Sequence, residues 1–68
     1  DTNKLVRLII QGLPPLQQQI ITMKDVDEYE TEEIAEITGT TIEAIRTNLS
    51  RARKKVREEY LRIVRNYE

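Results

Sequence analysis

The chain has 68 residues, enough for one domain, with 34% charged residues and a formal net charge of −1. It has no cysteine and no histidine, which excludes a disulfide framework, a thiolate zinc site and the commonest general base of enzymes. No apolar run approaches the roughly 20 residues needed to cross a membrane, and no signal peptide is visible. We therefore expect a cytoplasmic protein that is not an enzyme, needs no metal or cofactor and has no membrane partner.

Charge is distributed unevenly along the chain. Residues 1–40 carry three basic and eight acidic residues, a net charge of −5, whereas residues 41–68 carry eight basic and four acidic ones, a net charge of +4. Such a split predicts two surfaces of opposite sign, of which the basic one suits nucleic acid. Because the chain begins with Asp1 and not with Met, we expect residues 1–68 to be a single domain from a longer protein.

Two helices are predicted in the first third of the chain. Gly12 is a stop signal for the first helix, and Pro14 or Pro15 suits the first turn of the second. The apolar residues at helical spacing are Leu5, Leu8 and Ile9 in the first helix and Leu16, Ile20 and Met23 in the second. The polar and acidic stretch DVDEYE, residues 25–30, predicts a loop.

A third helix is predicted to follow this loop. Thr31 is a suitable N-cap, and Ile34 and Ile37 form the apolar edge of the helix. Gly39 stands where a left-handed residue ends a helix. The sequence therefore predicts a tight turn at Gly39.

The fourth helix has the clearest pattern. Thr40 with Glu43 fits a capping box at its start, and Thr41 is the competing cap. One apolar stripe runs along it through Ile42, Ile45, Leu49, Ala52, Val56, Tyr60, Ile63 and Tyr67. Such a helix is about 39 Å long. We expect its last turns, residues 60–68, to protrude, to pack on the first helix or to meet a partner.

The polar face of the fourth helix is mixed at its start and cationic further along, as in a recognition helix that enters the DNA major groove. Arg46 suits guanine, Glu43 suits the amino group of cytosine, and Asn48 suits adenine if it faces the groove. Phosphate contacts are expected from Arg51, Arg53 and Lys54, and from Thr40 and Thr41 with the helix N-terminal amides.

Three alternatives remain open. A charged helix face is often only a solvated surface, with ion pairs between residues one turn apart. The chain also fits a helical protein-interaction module without DNA contact. The DNA-binding output domain of a response regulator is the most similar alternative among helix-turn-helix domains.

Residues 13–60 carry a more specific pattern. It consists of Leu13-Pro14, the segment EEIAEI at 32–37, Gly39, Arg46-Thr47 and, after Leu49, Arg51-Ala52-Arg53. This pattern resembles region four of bacterial sigma factors of the sigma-70 family, most closely the extracytoplasmic-function (ECF) type.

The resemblance implies an all-α, compact four-helix domain with a helix-turn-helix over about residues 31–58 and a long C-terminal recognition helix. It implies a transcription initiation module that binds the minus-35 promoter element as double-stranded DNA and the β flap of RNA polymerase, with an anti-sigma factor as a further partner. The family's DNA contacts map onto Thr41, Arg46, Thr47, Ser50, Arg51 and Arg53, with Glu43 and Asn48 as plausible additions. Glu43, Ala44 and Asn48 differ from the residues frequent in the family, so the resemblance does not imply which promoter sequence is bound.

Overall fold

The computed structural model describes residues 2–67, which form four α-helices and contain no strand. The helices are α1 (Thr2–Gln11), α2 (Pro15–Ile21), α3 (Thr31–Thr38) and α4 (Ile42–Asn66), and α2 continues as a π-helical turn, Thr22–Val26. The all-α prediction is confirmed. Asp1 and Glu68, the ends of the domain expected over residues 1–68, lie outside the described residues. None of the described helices is long and apolar enough to span a membrane.

The core is built around α4, which contacts each of the other three helices. Ile20 of α2, Ile34 of α3 and Ile45 of α4 are fully buried at its centre. Burying each such side chain stabilises the fold by about 1.5–3 kcal/mol. The remaining buried residues are Ile10, Leu13, Ile21, Leu49 and Ala52. No polar or charged residue in the described part of the chain is buried, so the core is held together by apolar packing.

α1 ends at Gln11, as Gly12 predicted, but its apolar stripe is only partly buried. Ile10 is in the core and Val6 packs against it, whereas Leu8 is 61% exposed. Leu5, Leu8 and Ile9 together line an open groove beside α4. The three residues thus share one face of α1, as their spacing predicted, but that face is not the buried one, because α1 turns its Val6–Ile10 side toward α2 and α4.

α2 begins at Pro15, where the missing N–H costs nothing, as predicted. Its helical backbone runs past Ile21 into the π-helical turn, closed by a hydrogen bond of 2.9 Å from Asp27 N–H to the Thr22 carbonyl. The prediction of a loop from residue 25 was therefore wrong for residues 25 and 26. Asp25 lies on this turn and contacts α4 through Arg53.

α3 begins at Thr31, with Glu30 as the N-cap, so the predicted Thr31 cap was one residue too late. The Glu30 N–H donates to Glu33 Oε1 at 3.0 Å, which holds the first turn. Ile34 is buried, but Ile37 is 54% exposed, so its assignment to the apolar edge was wrong. A helix of eight residues presents only a narrow stripe to α4, and Ile34 and Ala35 occupy it.

The apolar stripe of α4 is buried or half-buried from Ile42 to Ile63. Its place on the stripe also predicted that Tyr67 packs against the domain, but Tyr67 is 88% exposed, so that prediction was wrong. The 25 residues of α4 span about 37 Å, nearly the 42 Å length of the whole domain. Its last turn extends beyond the helices that would cover Tyr67.

Candidate nucleic-acid interface

The turn between α3 and α4 is fixed by its own hydrogen bonds. Gly39 has φ 70°, the left-handed conformation predicted for it. The Thr40 N–H donates to the Ala35 carbonyl at 3.0 Å. The Thr38 hydroxyl donates to the Ile34 carbonyl at 2.7 Å and lies 2.9 Å from the Thr40 hydroxyl. Since Thr38 has one hydroxyl hydrogen, the Thr40 hydroxyl is the donor to Thr38 and is engaged within the turn.

Thr41 is the N-cap of α4. Its Oγ1 accepts the Ala44 N–H at 3.1 Å, and its carbonyl accepts the Ile45 N–H at 3.0 Å. The predicted capping box of Thr40 and Glu43 was therefore wrong, and the competing Thr41 cap is confirmed. Further N–H groups in the first turn of a helix have no intrahelical acceptor, so this end of α4 offers donors to an anion.

One line of side chains projects from α4 directly away from the core. Glu43, Thr47, Ser50 and Lys54 follow one another at spacings of four, three and four residues, and all are exposed. The buried line on the opposite side of the helix consists of Ile45, Leu49, Ala52 and Val56, the last half-buried. The packing of α4 therefore fixes which predicted contact residues can face a ligand.

Cationic side chains flank this line on both sides. On one side, Arg46 and Arg53 border a shallow depression together with Ser50 and Lys54 of the line. On the other side, Arg51 lies exposed. Arg57 completes the depression and was absent from the predicted contacts. Its position three and four residues after Lys54 and Arg53 was the signal in the sequence, since residues at these spacings share a helix face.

Arg53 is held by an acidic residue 28 positions earlier. Its Nε donates to Asp25 Oδ2 at 3.0 Å, and its Nη2 donates to Asp25 Oδ1 at 2.5 Å. This hydrogen bonding to Asp25 raises the pKa of Arg53 above its usual value, so the group stays charged at any pH of interest. Sequence spacing did not predict the pair, because it links α4 to the π-helical turn.

Asn48 is also engaged within the domain. Its Nδ2 donates to the Ala44 carbonyl at 2.8 Å, and the residue is half-buried. Of the ten predicted contact residues, Thr40, Asn48 and Arg53 thus have their polar groups bonded internally, and Thr41 serves as a cap. The other six are exposed on α4, namely Glu43, Arg46, Thr47, Ser50, Arg51 and Lys54.

A family model described as "Sigma-70, region 4" matches residues 3–56, which is more than three quarters of the chain. The match spans all but the first residue of α1, then α2, α3, the turn and the first 15 residues of α4. The chain belongs to the sigma-70 region 4 family. It is thus a DNA-binding module of transcription initiation, whose implied partners are promoter DNA and RNA polymerase. The comparison with curated proteins gave no match, nor did the comparison with solved structures.

The region 4 match ends at residue 56, whereas α4 continues ten residues further, to Asn66. In this extension Glu59 accepts a hydrogen bond of 2.9 Å from Arg62 and lies 3.9 Å from Lys55. The hydrogen bond from Arg62, with the charges of Arg62 and Lys55, holds the pKa of Glu59 below its usual value. Part of the charge on the extension is therefore paired within α4, as its i, i+3 and i, i+4 spacings predicted.

Proposed function

We propose that this region 4 domain binds the minus-35 promoter element by placing the start of α4 in the major groove of duplex DNA. The observation that carries the proposal is the exposed line Glu43, Thr47, Ser50 and Lys54, which points away from the core and is bordered by arginines. In a helix-turn-helix, the N-terminal residues of the second helix contact base edges.

Base contacts are assigned to the first two turns of α4. Arg46 donates to the O6 and N7 atoms of guanine, and Glu43 accepts from the amino group of cytosine. Thr47 lies between them on the exposed line. Asn48 contacts adenine only if its amide first releases the Ala44 carbonyl.

Phosphate contacts are assigned around this centre. Arg51 and Lys54 are both exposed, one turn apart on α4, and each suits a phosphate at the border of the groove. Ser50 lies beside Lys54 in the cationic depression. Thr41 and the N-terminal amides of α4 suit a further phosphate, with Thr40 supporting the turn through Thr38.

We also propose the ECF type, a cytoplasmic location, docking on the β flap of RNA polymerase and an anti-sigma factor that covers the domain. The resemblance over residues 13–60 supports these partners. The domain also has exposed apolar side chains outside the DNA-facing surface, among them Leu8 of α1 and Leu61 and Tyr67 of α4. A protein partner would find apolar surface there without competing for the start of α4.

Fluorescence anisotropy with promoter and scrambled duplexes tests DNA binding. With roughly 3–5 phosphate contacts, a plot of log affinity against log salt should have a slope of about −3 to −4.5. Arg51→Ala should weaken binding to every sequence and reduce this slope by about 1, whereas Arg46→Ala should relax preference at one base pair and cost about 1–3 kcal/mol there.

Arg65→Ala is the matched control, because it removes an arginine near the end of α4, far from the proposed interface. Its affinity should equal that of the parent. Equal and salt-independent binding by the parent, Arg46→Ala and Arg51→Ala would contradict the proposal. Absence of DNA binding together with capture of a β-flap fragment would instead favour a protein-interaction module.

A further inference from the structure

The bond between Asp25 and Arg53 joins the acidic first half of the chain to the basic helix. The carboxylate takes two parallel N–H groups of the guanidinium, from Nε and Nη2. A DNA phosphate is bound by arginine with the same fork geometry. Asp25 therefore occupies one of the two edges of Arg53 that can bind a phosphate in this way.

The pair lies at the surface and at the border of the cationic depression. The side chain of Arg53 is 53% exposed and that of Asp25 is 37% exposed. Arg53 shares the depression with Arg46, Lys54 and Arg57, which have the charge that DNA attracts. A phosphate that approached Arg53 would meet a guanidinium already bound and a carboxylate that repels it.

We propose that Asp25 is an intramolecular competitor of the DNA backbone, which holds Arg53 away from phosphate and lowers the sequence-independent affinity of the domain. This inference rests on the proposed function and adds an autoinhibitory contact to it. Since the competition acts on a phosphate contact, it weakens binding to all duplexes equally and leaves base preference unchanged.

Two neighbours of Asp25 provide controls. Asp27 and Glu28 carry the same charge within three residues of Asp25. Within residues 2–67, no ion pair joins either of them to α4. Neutralising Asp27 therefore measures the long-range effect of one lost negative charge without releasing Arg53.

The experiment measures binding to a scrambled duplex by fluorescence anisotropy over a range of salt concentrations. Asp25→Asn should tighten binding by about 3- to 10-fold, and the log–log salt slope should become steeper by about 0.9, the value for one added phosphate contact. Asp27→Asn should change affinity by less than about twofold, the weaker effect of an unpaired surface charge. The gain should be absent from the double variant Asp25→Asn/Arg53→Gln.

A second measurement uses the parent protein and does not depend on the folding of any variant. The arginine Nε–Hε signals are followed by NMR while the scrambled duplex is added. The signals of Arg46 and Arg51 should shift, whereas that of Arg53 should stay close to its position in the free protein.

Three results would overturn the inference. The first is an equal gain in DNA affinity in Asp25→Asn and Asp27→Asn, which would show that the lost negative charge acts only through long-range electrostatics. The second is weaker binding in Asp25→Asn, which would mean that Asp25 positions Arg53 for DNA. The third is an Arg53 signal that moves as far as that of Arg51. If one of these results is found while the parent still binds DNA, the inference about Asp25 fails but the proposed function stands. If neither the parent nor Asp25→Asn binds DNA at low salt, both the inference and the proposed function fail.

Discussion

The side-chain amide of Asn48 donates a hydrogen bond of 2.8 Å to the main-chain carbonyl of Ala44, one turn earlier in α4. The amide is thereby directed back along its own helix. Its neighbour Thr47 projects from α4 away from the core. Consecutive residues of the predicted interface thus differ in whether their polar atoms are available to a base.

We therefore expect Asn48→Ala to leave the sequence preference of the domain unchanged, with affinities within about twofold of the parent on each duplex. Loss of the bond to Ala44 and the gain in helix propensity, each of about 0.5–1 kcal/mol, should nearly cancel in stability. Anisotropy on a panel of single-base-pair promoter variants measures the preference. Arg46→Ala is the comparison, and a loss of discrimination at one base pair in Asn48→Ala would show that the amide turns outward on DNA.

Removing the cap of α4 should destabilise the domain. Thr41→Ala leaves the Ala44 N–H without its acceptor and should lower the free energy of unfolding by about 1 kcal/mol. Thr40→Ala is the matched control, because its hydroxyl contacts Thr38 and caps no helix. Urea unfolding followed by circular dichroism measures both. A larger loss of stability in Thr40→Ala than in Thr41→Ala would show that Thr40, and not Thr41, caps α4.

The two isoleucines of α3 should respond differently to truncation. Ile34→Ala creates a cavity in the centre of the core and should cost about 2–5 kcal/mol, enough to unfold much of so small a domain. Ile37→Ala removes a side chain that is 54% exposed and should cost less than about 1 kcal/mol. Urea midpoints of the two variants, measured together, test this. Similar losses of stability in the two variants would show that Ile37, like Ile34, is packed in the core.

The ion pair at Glu59 predicts a pH dependence of stability. Because Arg62 and Lys55 lower the pKa of Glu59 in the folded state, the pair stabilises the fold above the unfolded-state pKa of about 4.3. That contribution is lost as pH falls through the lower, folded-state pKa.

Glu59→Gln should therefore unfold at lower urea than the parent at pH 7, and the difference should vanish in strong acid. The effect should be small and sensitive to salt, because both cations are exposed, Lys55 at 58% and Arg62 at 60%. Urea unfolding of both proteins across the acidic range measures it. Glu58→Gln on the same turn is the control. An equal pH dependence of stability in both variants would show that the pairing of Glu59 with Arg62 and Lys55 is not its cause.

Much of the fold followed from local signals in the sequence. Gly39 marked the turn, Pro15 marked the start of α2, and the stripe from Ile42 to Ile63 marked α4 as the long helix. These signals act between residues within a few positions of one another, through backbone conformation and helical period. They also sufficed for the family pattern, since the helix-turn-helix is a local arrangement.

The sequence alone thus determined four helices, their turn, the basic face of α4 and the family. Tertiary structure decided that Leu8, Ile37 and Tyr67 stay exposed, because burial of an apolar face depends on which other helix covers it. It also decided that Thr41 caps α4 and that Asp25 holds Arg53. Asp25 and Arg53 are 28 positions apart and meet only when the chain has folded. Sequence patterns that link residues a few positions apart therefore could not predict this contact.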